Sequence, residues 1–287
     1  KFDDLELHEI PPNGQGIAAL MALGILSHTR IRDLDSDDPL AIHLQVEAMK
    51  LALVDAETYV ADDKYMTGVT SEVLLDETYL ASRAALIDEI CAQDFNVGAP
   101  INGGTVYLTA ADASGMMVSF IQSNYAGFGS GVAIPGTGIA MQNRGAGFSL
   151  DPASPNIVGP NKRPFHTIIP GFLMGPDGPL MSFGVMGGPM QAQGHVQMVL
   201  RTQVWGQDPQ MAVDAPRWRF VEGLKLACED VMPAATLEYL AQIGHLIELE
   251  ASDNAFGFGG AQLICRLADG AYASGSDPRK DGLAAGF

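Results

Sequence analysis

Gly103-Gly104-Thr105-Val106-Tyr107-Leu108-Thr109 sets a threonine at the head of a run of β-branched and aromatic residues, the composition of a strand. Downstream lie the glycine-punctuated stretches Phe128-Gly129-Ser130-Gly131-Val132 and Pro135-Gly136-Thr137-Gly138. A threonine hydroxyl is a poor nucleophile at neutral pH because nothing takes its proton. If the chain is cut between Gly104 and Thr105, the freed α-amine becomes a base on the same residue, with an unperturbed pKa of about 7.7–8.0. That is the threonine–amine form of an activated nucleophile, and it predicts a self-processing amide hydrolase. Composition alone reads Thr105 as an ordinary strand residue, so the assignment depends on its surroundings.

Outward from Thr105, Val106–Ala111 and Met116–Ser123 are predicted strands joined by Asp112-Ala113-Ser114-Gly115, a hairpin turn. Further short strands are expected at Ile139–Gln142, Thr167–Phe172 and Leu180–Val185. Gly187-Gly188-Pro189 then opens a long helix through Trp205, followed by a short helix at Asp208–Ala215. A strand–helix–strand run is expected at Lys225–Cys228, Ala234–Ile243 and Gln262–Leu267. Upstream, the turn Pro11-Pro12-Asn13-Gly14 precedes an apolar helix carrying Ile17 to Leu26. Asp38-Pro39 is a capped helix start, and the helix continues to Tyr59. Another helix is expected over Ser71–Cys91, then an exposed linker over Ala92–Gly104. Helices, then antiparallel strands, then helices and strands again indicate an α+β fold rather than a parallel βαβ repeat.

The chain has 287 residues, enough for one large core or two smaller ones, and no low-complexity tract. Sixteen Lys plus Arg against thirty-four Asp plus Glu give a net charge of −18, which repels nucleic acid and anionic membrane. No apolar run approaches the roughly eighteen residues that span a bilayer. Cys91, Cys228 and Cys265 are far apart and read as buried free thiols. The start at Lys1 rather than Met points to an upstream segment or signal peptide, and the cytoplasm is favoured over the periplasm or secretion.

The order of these motifs resembles the γ-glutamyltransferase family along essentially the whole chain. Thr105…Asp112…Gly115, Phe128-Gly129-Ser130-Gly131, Asn143…Phe148-Ser149 and Gly159-Pro160-Asn161-Lys162-Arg163-Pro164 look like its small subunit. So do Gly187-Gly188, Ala215-Pro216-Arg217 and Ser276-Asp277-Pro278-Arg279, while Pro11–Gly16 and Glu47-Ala48 resemble the end of its large subunit. The resemblance implies an N-terminal-nucleophile hydrolase fold, the αββα four-layer sandwich, of which this is the carboxy-terminal portion. It divides the chain into residues 1–104, the mostly helical end of the large subunit with a linker, and 105–287, the small subunit. It further implies cleavage between Gly104 and Thr105, with Thr105 as nucleophile. Ser123 then orients the nucleophile and its amine, Gly187 and Gly188 form the oxyanion hole, and no cofactor or metal is needed. Thr109 reads equally as part of this set or as a locally bonded strand hydroxyl.

Departures from the family bear on the substrate. Gly147 stands where an acidic residue holds the γ-glutamyl α-amine, Tyr125 replaces an Asn, and His166 and Thr167 replace two serines. Arg144 and His166 are therefore expected in a differently charged pocket, since arginine offers a fork for a carboxylate. An acidic acyl group such as oxamate or a dicarboxylic monoamide fits, and the chain looks similar to the oxamate amidohydrolase and cephalosporin-acylase-like branch. The other reading pairs Arg144 with one of the protein's own carboxylates. His43 and Glu47, one helical turn apart, resemble half of a metal site whose second half the spacing does not supply. His195 reads as a polar packing residue, and Lys162-Arg163 as a brace before Phe165. The expectation is thus a threonine amidohydrolase acting on a small-molecule amide, its acyl group released to water or an amine. Its two processed pieces stay associated, and a homo-oligomer stays open. The alternative is an uncut, non-catalytic relative serving as a binding or assembly module.

Overall fold

The computed structural model describes residues 4–96, 105–252, 254 and 257–287; Gly104 lies outside them. Its helices are α1 (Gly16–Ser27), α2 (Pro39–Tyr59), α3 (Ser71–Leu74), α4 (Glu77–Ala84), α5 (Met190–Val199), α6 (Pro209–Asp214) and α7 (Ala234–Gln242). Its strands are β1 (Glu6–His8), β2 (Thr105–Ala111), β3 (Met117–Ser123), β4 (Ala133–Ile134), β5 (Ile139–Ala140), β6 (Gly171–Gly175), β7 (Gly178–Met186), β8 (Trp218–Glu222), β9 (Lys225–Glu229), β10 (Leu246–Glu250), β11 (Gly260–Arg266) and β12 (Tyr272–Ser276).

Helix α2 starts as its sequence demands, with the Asp38 carboxylate accepting the Leu40 N–H at 2.8 Å and Pro39 in the first turn. The expected helix over Ser71–Cys91 is broken in two. Asp76 accepts the Tyr79 N–H at 3.1 Å and so begins α4 afresh, and the helix ends at Ala84. Nor is the start of the expected linker loose. The Ala92 N–H donates to the Ile243 carbonyl at 2.6 Å, and Gln93 binds Lys50 and Glu47. The strand expected at Thr167–Phe172 begins later, at Gly171. Helix α5 continues as a π-turn over Leu200–Val204, giving the long helix expected up to Trp205.

Strands β1, β6, β7, β11 and β12 form one antiparallel sheet in that order. The strand–helix–strand run β9–α7–β10 makes one parallel pair, and β8 completes that three-stranded sheet. Strand β7 is covered on both faces, because successive side chains alternate. On one face, Gly194 of α5 lies so close to Val185 that an added Cβ would meet its side chain at 2.6 Å. On the other, the hairpin β2–β3 stacks through Tyr107, whose ring lies against Gly184. Thr105 thus opens a strand of a two-stranded hairpin rather than a central strand of a wide sheet. Helices, sheet and hairpin are three successive layers. The hairpin's outer face, with Val106, Leu108 and Phe120 exposed, carries no fourth layer among the described residues. Of the three cysteines, Cys228 is buried, Cys265 half-buried and Cys91 exposed, so the expectation of buried thiols fails at Cys91.

Candidate active site

The hairpin places Thr105 and Ser123, its first and last residues, directly opposite one another. The Thr105 hydroxyl donates to Ser123 Oγ at 3.1 Å, and Ser123 Oγ also accepts the Tyr125 N–H at 2.9 Å. The turn that makes this possible puts Tyr125 at φ +77°, in the left-handed region that side chains seldom adopt. Backbone strain of this kind concentrates where function over-determines the conformation.

Two contacts fix where Thr105 lies along β7. Thr109 bonds Ser182 through its hydroxyl, and Tyr107 packs on Gly184. The strands run in opposite senses, so two residues further along β2 the same step sets Thr105 beside Met186. That residue immediately precedes Gly187-Gly188. Thr109, left open by the sequence, is therefore an interlayer tie. Tyr107 adds another, through its hydroxyl bond to Ser119 at 2.7 Å and Ser119 to the Phe183 carbonyl at 3.3 Å.

Gly187 and Gly188 have φ of +132° and +62°, and an added Cβ on Gly187 would meet the Gly259 backbone at 3.0 Å. The Gly187 carbonyl accepts from Met190 N–H at 3.2 Å, and the Gly188 carbonyl accepts from Gln191 N–H at 3.0 Å. In a trans peptide the N–H opposes the C=O. With the Gly187 carbonyl turned into the first turn of α5, the Gly188 N–H points away from the helix, as an anion-accepting donor would.

Beside this turn is a cleft of about 810 Å³ whose walls include Tyr125, Arg144, His166, Thr167 and Pro189. All four residues expected to contact substrate therefore meet in one place. Thr105, only 5 % exposed, lies behind that wall rather than in it, and reaches the wall through Ser123 and Tyr125. Arg144 is buried, yet neither terminal nitrogen of its guanidinium has a hydrogen-bond partner among the described residues. Among the described residues it pairs with no carboxylate. Its neighbour is the Tyr125 ring, with the guanidinium carbon 5.4 Å from the ring centre. Burial lowers its pKa, but a guanidinium stays charged in proteins. His166 is driven down to about 4, first by burial and then by the charges of Arg144 and Arg163, and so is neutral near pH 7. Its Nδ1 is also buried without a hydrogen-bond partner among the described residues. At Gly147 an added Cβ would collide with the Phe165 carbonyl oxygen. The backbone itself leaves no room for the acidic side chain that the resemblance would put there.

Sequence spacing did not reveal the partner of His43 and Glu47. His245, 202 residues from His43, brings its Nε2 to 2.8 Å from His43 Nδ1. The three donor groups lie within 4.8 Å of one another, all buried. The Asp88 carbonyl accepts from His43 Nε2, so His43 Nδ1 is an acceptor and His245 Nε2–H the donor. Lys50 lies 2.7 Å from Glu47 and supplies the positive charge beside that carboxylate. His195 is held just as firmly, its Nδ1 2.6 Å from Glu9 Oε1 with both side chains buried. The Arg163 brace is its bond to Asp62 at 3.2 Å, and Lys162 donates to the Pro155 carbonyl.

The family described as Gamma-glutamyltranspeptidase matches residues 1–287. The oxamate amidohydrolase proenzyme of Klebsiella pneumoniae is 36 % identical over 288 residues, covering 98 % of this chain and 53 % of that protein. The glutathione hydrolase-like YwrD proenzyme of Bacillus subtilis is 33 % identical, covering 98 % of this chain and 54 % of that protein. The crystal structure of a cephalosporin acylase from Bacillus halodurans superimposes with a TM-score of 0.91 at 45 % identity, over all of this chain and 52 % of that one. This chain thus spans about half the length of the relatives it matches. Its fold is the α+β fold of the N-terminal-nucleophile hydrolases, and the chain belongs to the gamma-glutamyltranspeptidase family.

Proposed function

We propose that this protein is an autoprocessed threonine amidohydrolase whose substrate is a small amide carrying a carboxylate on its acyl side. In processing, Thr105 Oγ attacks the Gly104 carbonyl carbon. The Gly104–Thr105 C–N bond breaks as the ester forms, and water hydrolyses the ester to leave the Thr105 amine free. In turnover that amine takes the hydroxyl proton as Oγ attacks the substrate carbonyl. Ser123 holds the hydroxyl in place, and the Gly187 and Gly188 amides receive the developing oxyanion. The proton then passes to the leaving nitrogen as the C–N bond breaks, and water releases the acyl group.

The observation that carries the substrate class is Arg144, a buried cation whose terminal nitrogens have no hydrogen-bond partner among the described residues, facing the cleft next to the turn that holds Ser123. Leaving such a charge unpaired is costly, and a substrate carboxylate is its natural complement through two parallel hydrogen bonds. Neutral His166 and Thr167 complete the acyl wall without repelling an anion. The Klebsiella relative is named for oxamate, a short amide bearing a carboxylate. The test is a side-by-side assay of the full-length protein on oxamate, glutaryl amides, glutathione and γ-glutamyl anilides. The carboxylate-bearing amides without an α-amine are expected to turn over, and Arg144→Leu to lower their kcat/KM by about 2–4 kcal/mol in barrier terms. Activity confined to γ-glutamyl anilide, or an Arg144→Leu enzyme equal to wild type, contradicts the proposal.

A further inference from the structure

We infer that Gln15, on the amino-terminal side of the cut, is the positioning residue of the oxyanion turn on the other side. This rests on the reading of Gly187-Gly188 as oxyanion donors. The Gln15 side chain is 1 % exposed, and its amide nitrogen has two hydrogens to give. Both are used, one on the Gly188 carbonyl at 2.9 Å and the other on the Thr167 carbonyl at 2.8 Å. The same amide thus links the oxyanion turn to the acyl wall of the cleft, which Gln15 itself helps to line.

The loop that presents Gln15 is itself fixed. Gln15 N–H donates to the His166 carbonyl at 2.9 Å, His166 N–H donates to the Asn13 carbonyl at 3.1 Å, and Asn13 Nδ2 donates to the Pro164 carbonyl. Helix α1 follows at once, so the side chain projects from a rigid base. The turn it grips is not rigid by composition. Two glycines in succession have wide backbone freedom, and Pro189 has no N–H to contribute. Met190 and Gln191 hold the carbonyls from the helix side, and Gln15 holds the Gly188 carbonyl from the other. Removing that grip leaves the Gly188 carbonyl held by the Gln191 N–H alone, which loosens the Gly188–Pro189 peptide and, through Gly188, the direction of the neighbouring amides. Small displacements of preorganised donors cost rate rather than substrate binding. After cleavage Gln15 and Gly188 belong to separate pieces, so the small piece alone lacks a set oxyanion turn.

The test compares wild type with Gln15→Glu, which keeps the shape but cannot donate to both carbonyls, and Gln15→Leu, which removes both donors and serves in case the buried carboxyl prevents folding. On oxamate, both variants are expected to lose about tenfold or more in kcat, since removing an oxyanion donor outright costs about 10²–10³. In Gln15→Leu, KM should change less than kcat, because Arg144, which receives the substrate carboxylate, is left in place. In a crystal structure of either variant, the Gly188 carbonyl should have turned from its present direction. An unchanged kcat, a loss expressed in KM alone, or an unmoved Gly188 carbonyl overturns the inference. A wild-type enzyme inactive on oxamate counts against the substrate proposal, and the Gly188 geometry of the variants still decides for or against Gln15.

Discussion

At the scale of single residues, Gly147 and His166 set the chemistry of the cleft. The collision between a Cβ at 147 and the Phe165 carbonyl means that Gly147→Asp is not a route back to γ-glutamyl recognition. Overpacking of this kind costs about 1–3 kcal/mol. A lower melting temperature and no gain on γ-glutamyl anilide are expected, and a stable variant with new γ-glutamyl activity refutes this view. His166 has an ordinary pKa of 6.5 that is lowered to about 4 in the folded protein. Above 6.5 the ring is neutral in both states and contributes no pH dependence. As pH falls from 6.5 towards 4 the unfolded chain binds a proton that the folded chain refuses, so stability declines through that window. His245, lowered to about 3 by burial and by the charge of Lys50, extends the decline further. Melting curves should fall from pH 6.5 to 4, and His166→Gln should flatten part of that fall. Identical slopes would show that His166 is not held neutral.

At the scale of elements, the hairpin β2–β3 carries the nucleophile and is set by one close approach. Gly184→Ala forces its methyl into the Tyr107 ring and lifts the hairpin from β7. About 1–3 kcal/mol of stability should be lost, and self-cleavage should slow because Thr105 is displaced. Cleavage at the wild-type rate would separate hairpin position from catalysis. This hairpin was legible in sequence because alternation and an Asp-Ala-Ser-Gly turn are local signals. Strand β8 was not, since Arg219 is buried between Trp218 and Phe220 by its ion pair with Glu250, which erases the alternation. Strand β10 is a Leu-Ile-Glu-Leu-Glu run at a half-exposed edge, and the Ser71–Cys91 helix is interrupted by an Asp whose capping power outweighs its neighbours' propensity. Motif order singled out candidate site residues, and the fold gathers Tyr125, Arg144, His166 and Thr167 at one cleft. Their electrostatics were not legible: the isolation of Arg144, the His245 partner of His43 and the reach of Gln15 join residues distant in sequence.

At the scale of the whole molecule, the described residues on either side of Thr105 share one core rather than forming two. Helix α1 packs on α5, and the buried pairs Glu9–His195 and His43–His245 cross between the two parts. The carboxy-terminal segment is pinned in the same way, by Arg217–Asp277 and Arg279–Glu229. Because apolar side chains from both sides of the cut are buried in one core, a cut before Thr105 leaves two pieces that should co-elute in gel filtration and separate only in denaturant. The most direct measurement is intact mass under denaturing conditions, with hydrolysis assayed in parallel, for wild type and Thr105→Ala. Two masses and activity for wild type, against one uncut mass and no activity for the variant, are the predicted result. A Thr105→Ala protein that still splits after Gly104, or still hydrolyses the amide, would contradict the central claim that Thr105 breaks both bonds.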